Sequence, residues 1–135
     1  MNRKLQFYFI VALVIVLFDG AASVGSRVLQ FDYTNIMWVS WGLYIGVGFL
    51  GCKRFDLMSG VGAGLIAGVA DSTAGWGLSA AIGPYLPSAQ HPYPVALILI
   101  AIIIVCILST FFGLLGALSF KVLTIIRRRG QFSDA

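Results

Sequence analysis

Residues 95–118 read VALILIAIIIVCILSTFFGLLGAL and contain no charged side chain. The hydrocarbon core of a bilayer is about 30 Å thick, and a helix needs about 20 apolar residues to cross it. This stretch does not alternate between apolar and polar residues, as a strand of a membrane β-barrel does. Because a backbone in lipid must satisfy its own hydrogen bonds, the stretch predicts a transmembrane helix.

The rest of the chain has the same character. Of its 135 residues, 59% are hydrophobic and 10% are charged, whereas soluble domains are about 25% charged. Nine basic and five acidic side chains are too few to cover a soluble surface. The composition therefore argues against a soluble enzyme, a disordered chain and a disulfide-stapled secreted domain. It predicts an all-α integral membrane protein, with one transmembrane domain over residues 1–135.

Four segments have the length and apolar character of membrane spans. They lie near residues 5–24, 35–51, 57–82 and 94–118, and residues 130–135 are expected to form a flexible tail. The first segment also resembles a signal peptide, with basic residues before it and small residues after it. Asp19 directly follows the apolar run, which is unusual for a cleavage region and favours a retained helix. The sequence thus predicts a four-helix bundle, with cleavage of the first span as the alternative.

The basic residues predict the orientation of the spans. Cytoplasmic ends of membrane helices carry an excess of lysine and arginine. Eight of the nine basic residues fall on one side of four spans, and Arg27 is the exception. We therefore expect both termini in the cytoplasm of a bacterial-type plasma membrane. This distribution is not that of a nucleic-acid-binding patch.

Small residues recur at intervals of four in the two middle spans. They are Gly60, Gly64 and Gly68 in the third span and Gly42 and Gly46 in the second, and in the third span the spacing resumes at Gly75 and Ser79 after a slip around Asp71. Residues four apart share a helix face, and small faces let helices approach closely in lipid. We expect these glycines to pack helices together, with the third span at the centre of the bundle. Such a face could instead form a close contact between two copies of the chain in a homo-oligomer.

Two aspartates interrupt apolar spans. A charge at the centre of a membrane helix costs about 2.5–3.5 kcal/mol, so such residues usually face the bundle interior and have a use. Asp19 and Asp71 lie at similar depths in helices that run in the same direction, and Ser23, Ser72 and Thr73 lie near them in sequence. Two carboxyl groups in a dry site do not both ionise easily. These five residues are therefore candidates for a proton- or ion-binding site.

The aspartates also allow a structural interpretation. In it, Asp19 bonds Arg27 or neighbouring hydroxyls, and Asp71 bonds Ser40, Tyr44 or Trp76 to set the register of the helices. The contexts Asp-Gly-Ala-Ala-Ser at 19–23 and Asp-Ser-Thr-Ala-Gly at 71–75 are similar. This similarity leaves open an origin as two tandem helical hairpins.

No motif for catalysis, metal binding or cofactor binding is present in the sequence. His91 is the only histidine, so no base is at hand for a serine nucleophile. Cys52 and Cys106 lie at different depths of the predicted spans, which argues against a disulfide between them. We therefore expect no enzymatic activity, no cofactor and no metal site.

Two functions remain at the level of sequence. The first is a non-enzymatic subunit or scaffold of a membrane assembly, with the bilayer, a second copy or another membrane protein as its partner. The alternative is a small proton- or cation-coupled transporter or channel that uses Asp19 and Asp71. In size and number of spans the chain is similar to the small multidrug exporters. Those carry a buried glutamate early in the first span, and this chain has no glutamate, so the similarity is one of architecture.

Overall fold

The computed structural model describes residues 2–86 and 95–133, with side chains of the last helix as far as Arg127. These residues form helices and short connections and contain no strand. The helices are α1 (Arg3–Leu29), α2 (Met37–Arg54), α3 (Leu57–Ala70), α4 (Trp76–Ile82) and α5 (Val95–Ser133). A 3-10 turn, Tyr33–Ile36, precedes α2, and a π-helical turn, Asp71–Gly75, joins α3 to α4.

Four helical stretches are long and apolar enough to cross a membrane. They are Arg3–Leu29, Tyr33–Arg54, Leu57–Ile82 and Val95–Arg127. The prediction of an all-helical chain with four span-like helices is thereby confirmed. The helices extend beyond the apolar runs because polar residues cap them: Asn2 accepts from the Lys4 amide before α1, and Asp56 accepts from the Ser59 amide before α3.

The structure describes part of the segment that was expected to form a flexible tail. Helix α5 continues to Ser133, so residues 130–133 are helical. No proline follows Val95 that would stop the helix, and Gly130 alone does not end it. Residues 134–135 and Pro94, the expected start of the fourth span, lie outside the described residues.

Contacts between the helices define their relative directions. Helix α1 runs parallel to α3 and α4, since Lys4 pairs with Asp56 at one end (Nζ to Oδ2, 3.5 Å). Towards the other end, the Ser23 hydroxyl donates to the Ser79 hydroxyl at 2.7 Å.

Helices α2 and α5 run in the opposite direction. They are parallel to each other, because the rings of Trp41 and Phe112 lie 5.1 Å apart, and those of Phe49 and Phe120 lie 5.2 Å apart. Successive span-like helices are thus antiparallel, and the first and last described residues lie at the same end of the bundle.

Helix α3 contacts each of the other three long helices. On one side its alanines meet the larger side chains of α1, and on the other Gly60, Gly64 and Gly68 meet α2 and α5. The buried core includes Phe7, Val11, Ile15, Tyr44, Ala63, Ala67 and Ala70.

Helix α1 barely touches α2, whereas α3 and α5 pack along much of their length. The two successive hairpins are therefore not packed alike. Bulky residues of α1 pack against α3, whereas small residues of α3 and α5 pack together.

Candidate functional site

Two carboxyl groups meet inside the bundle. Asp19 of α1 is 2% exposed, and Asp71, the first residue of the π-helical turn, is 8% exposed. Asp19 packs against this turn, with its carboxyl group beside Gly75, so the two carboxyl groups are close neighbours. The parallel course of α1 and α3 explains this proximity, because it brings residues of similar depth together.

The π-helical turn makes room for Asp19. A Cβ atom added at Gly75 would overlap Asp19 Oδ2 and lie 3.0 Å from its Cγ. Only glycine leaves space for the carboxyl group at this position. The wider turn also changes the helix phase: Gly68 faces Ser109 of α5, whereas Gly75 faces α1. In a continuous α-helix these two residues, seven apart, would share nearly the same face.

Two tyrosines donate hydrogen bonds to the carboxyl pair. The Tyr44 hydroxyl, on α2, donates to Asp71 Oδ2. The Tyr33 hydroxyl, on the 3-10 turn, donates to Asp19 Oδ1 at 3.5 Å and lies 3.1 Å from the Ser79 hydroxyl. Each carboxyl group therefore has one donor from a different part of the chain.

The second oxygen of Asp19 has no such donor. Asp19 Oδ2 is buried and has no hydrogen-bond partner among the described residues. Buried polar atoms are normally partnered, and an exception calls for an explanation. Two ionised carboxylates only accept hydrogen bonds, so Asp71 supplies no donor unless one of the pair is protonated. A proton or a small cation between the two groups satisfies this atom.

Polar contacts continue from the carboxyl pair towards the end of the bundle that contains Arg27. Ser79 receives the hydrogen bond from Ser23, one turn beyond Asp19. One turn further, the Ser26 hydroxyl donates to the Phe31 carbonyl at 2.8 Å and accepts from the Tyr85 amide at 3.2 Å. Ser23 and Ser79 thus form one hydroxyl pair next to the carboxyl groups, and Ser26 forms a separate set of hydrogen bonds one turn closer to this end of the bundle.

The other predicted site residues lie apart from the pair. The Ser72 side chain is buried, but its hydroxyl donates to the Gly68 carbonyl of its own helix at 2.7 Å. Thr73 is exposed, and its hydroxyl donates to the Val69 carbonyl. Neither hydroxyl is hydrogen-bonded to the carboxyl pair, because consecutive residues of a helix point to different faces.

Three residues that were not predicted for the site adjoin the carboxyl pair: Tyr33, Ser79 and Gly75. The 3-10 turn directs the Tyr33 hydroxyl to Asp19, the Ser79 hydroxyl lies 3.1 Å from that of Tyr33, and Gly75 lies against the Asp19 carboxyl group. Ser79 lies four residues after Gly75, and this spacing was the available signal. Tyr44 was one of the expected partners of Asp71 and does contact it.

Besides Gly75, which lies against Asp19, the predicted packing glycines fall into two groups. Gly60, Gly64 and Gly68 lie against α2 or α5: an added Cβ at Gly60 would be 2.7 Å from the Ala117 Cβ, and one at Gly64 would be 2.8 Å from the Gly113 Cα. Glycines of this group permit close helix contact.

Gly42 and Gly46 differ from the expected packed face. Both are exposed, and an added Cβ would meet nothing within 4 Å. The inward face of α2 instead carries Tyr44, Gly48 and Gly51. Since Tyr44 must point inward to reach Asp71, residues two positions away on either side point outward.

No group of three or more metal-ligating residues occurs in the part of the chain that the structure describes. Cys52 and Cys106 are free thiols, and His91 lies outside the described residues. The Arg27 guanidinium, expected near Asp19, instead donates to the Ile82 carbonyl at 2.9 Å and caps the end of α4.

The fold and the site together define a class: an all-helical protein with four span-like helices and a carboxyl pair buried among them. Comparison with known proteins adds no relative. No family model matches the chain, and no curated protein or solved structure is significantly similar to it.

Proposed function

We propose that the chain is a small integral membrane protein that binds a proton at the Asp19–Asp71 pair and carries it across the bilayer. The observation that carries the proposal is the buried, unpartnered Oδ2 of Asp19 beside a second carboxyl group. A purely structural aspartate is expected to have donors for both oxygens. Ionisable groups inside membrane helices typically belong to ion pathways or proton relays.

A proton accounts for the contacts of the pair with the fewest additional groups. Tyr44 and Tyr33 each donate to one carboxyl group, and one shared proton supplies the missing donor between them. The site is lined by carboxyl and hydroxyl oxygens, so a small monovalent cation is the second ion that it suits. The serines between the pair and the Arg27 end offer hydroxyl groups along which a proton can pass.

We infer the orientation from the charges at the two ends of the bundle. Lys4 and Arg54 lie at the end shared by the first and last described residues, and Arg27 lies at the other. The positive-inside rule then puts both termini in the cytoplasm of a bacterial-type plasma membrane. In this orientation the carboxyl pair lies nearer the outer surface.

Proton flux into liposomes containing the purified chain tests the proposal. We expect an imposed pH gradient and membrane potential to drive acidification, read with an enclosed pH-sensitive dye. Asp19→Asn or Asp71→Asn should lower the rate at least about tenfold, since a proton-transferring group typically contributes 10²–10⁴-fold. Asp32→Asn is the matched control, because asparagine retains the cap at the start of the 3-10 turn.

The ion is identified by changing the gradient. If a sodium gradient drives flux and the pH has no effect on it, the transported ion is a metal cation and not a proton. Unchanged proton flux in the Asp19→Asn/Asp71→Asn double variant would contradict the proposed mechanism.

We propose as the second candidate a non-enzymatic subunit or scaffold, for which the outer face of α2 provides the observation. Gly42 and Gly46 are exposed there, together with Trp38 at 66% exposure. Exposed glycines four apart allow two helices to approach closely in lipid. The partner is then a second copy or another membrane protein.

Cross-linking in bilayer nanodiscs and in detergent tests this second candidate. A scaffold that self-associates through α2 should become monomeric in Gly42→Leu/Gly46→Leu. Gly77→Leu is the control, since Gly77 also has nothing within 4 Å of an added Cβ. A chain that is monomeric at all protein-to-lipid ratios and brings no partner through purification would count against it.

A further inference from the structure

A cleft opens between the first turns of α1 and the last turn of α2. Its volume is about 410 Å³. The lining residues are Arg3, Gln6, Phe7, Ile10, Arg54 and Phe55. The cleft exists because α1 packs against α3 and barely touches α2.

One wall of the cleft is apolar and continuous with the outer surface of α1. The rings of Phe7 and Phe55 pack with centroids 5.7 Å apart. Ile10 is 54% exposed, and Leu17, two turns further along, is 60% exposed. An apolar chain lying on this wall therefore has a continuous surface leading from the cleft into the span.

The mouth of the cleft is basic. Arg3 and Arg54 both line it, and neither forms an ion pair with a described residue. Among the described residues, Asp56 is the acid at this end, and it is paired with Lys4 at 3.5 Å. Guanidinium groups match the geometry of phosphate oxygens and bind them through paired hydrogen bonds.

We propose that this cleft binds one anionic phospholipid, with its phosphate between Arg3 and Arg54 and an acyl chain along Phe7 and Ile10. Basic pockets between membrane helices are suited to lipid headgroups. The apolar wall favours a lipid over a soluble phosphate, because only the lipid has an acyl chain to pack against it. Both arginines lie at the ends of span-like helices, the level at which headgroups are found. Such a lipid would fill the gap between α1 and α2.

Lipid binding is measured on the full chain in detergent, by native mass spectrometry with titrated phosphatidylglycerol and phosphatidylcholine. We expect phosphatidylglycerol to bind more tightly. Each basic residue near an anionic headgroup contributes roughly a fivefold preference, so Arg3→Gln/Arg54→Gln should lower the preference by about 25-fold. Lys53→Gln is the control, because Lys53 is an exposed neighbour of Arg54 that does not line the cleft.

Three outcomes would overturn this proposal. Equal binding of the two lipids would show that the cleft has no headgroup preference. An equal effect of Lys53→Gln would indicate a diffuse basic surface. Displacement of phosphatidylglycerol by millimolar inorganic phosphate would identify a soluble phosphate site. The cleft and the carboxyl pair are separate, so proton flux in Arg3→Gln/Arg54→Gln reports independently on the proposed function.

Discussion

At the scale of single residues, the buried carboxyl groups depend on the hydroxyls around them. A carboxyl group removed from water needs hydrogen-bond donors, and an unmet polar atom costs about 1–3 kcal/mol. Tyr44 supplies a donor to Asp71, and Tyr33 supplies one to Asp19. These contacts offset part of the cost of placing two acids inside an apolar bundle.

We predict that Tyr44→Phe destabilises the fold by about 1–3 kcal/mol, because it removes a donor to a buried carboxyl oxygen and leaves the ring in place. The measurement is reversible unfolding in mixed micelles, followed by circular dichroism. Tyr8→Phe is the matched control, since the Tyr8 hydroxyl packs against Gly62 and forms no hydrogen bond with a described residue. Equal effects of the two substitutions would contradict the assigned role of Tyr44.

At the scale of helices, the closest contact joins the glycines of α3 and α5. An added Cβ at Gly113 would be 2.7 Å from the Gly64 Cα and 3.1 Å from its amide nitrogen. Both neighbours are backbone atoms, so the helices must separate to admit a methyl group. Overpacking of this kind typically costs about 1–3 kcal/mol.

We therefore expect Gly113→Ala to lower the free energy of unfolding by about 1–3 kcal/mol. Gly46→Ala should be neutral or stabilising by up to about 1 kcal/mol, since alanine is the better helix former and space is open there. The same micelle unfolding assay compares the two. Similar losses in both variants would mean that the contact between α3 and α5 is not tight.

The first turn of α3 is predicted to respond to acid. The Ser59 amide donates to Asp56 at 2.7 Å. This hydrogen bond, followed by the nearby Lys4 ammonium, lowers the pKa of Asp56 below its ordinary value of 3.8. A carboxyl group with a lowered pKa stabilises the fold above its ordinary pKa, and this contribution disappears as the pH falls through the folded value.

Asp56→Asn should accordingly be less stable than the parent near neutral pH, and the difference should shrink as the pH falls below 3.8. Asparagine keeps a side-chain oxygen that can accept the capping hydrogen bond, so the substitution tests the contribution of the negative charge alone. Thermal unfolding across this pH range is the measurement. A difference that does not change with pH would show that the charge of Asp56 contributes nothing.

At the scale of the whole molecule, four span-like helices pack with α3 in the middle and place the basic residues mainly at one end. The proposed orientation predicts that the connection between α4 and α5 lies outside the cell and that the last turns of α5 face the cytoplasm. His91→Cys should react with a membrane-impermeant maleimide on intact cells. Gln131→Cys should react only after permeabilisation. Both cysteine variants also carry Cys52→Ser and Cys106→Ser, so that only the introduced thiol can react. The reverse labelling pattern would contradict the orientation.

The sequence by itself determined the class of fold. Uninterrupted apolar runs such as residues 95–118 admit only a structure whose backbone hydrogen bonds are satisfied locally. The sequence also singled out Asp19 and Asp71, because an acid inside an apolar span is costly wherever the helix faces. Their common depth followed from the span boundaries and the alternating direction of the helices.

Only the tertiary structure decided which faces meet. Gly42 and Gly46 have the same spacing as Gly60 and Gly64, yet the first pair is exposed and the second is packed. The contribution of Tyr33 to the carboxyl pair depends on a 3-10 turn far from Asp19 in sequence. Helical periodicity specifies which residues share a face, but the rotation of each helix is set by contacts with all its neighbours at once, and those contacts are not local in sequence.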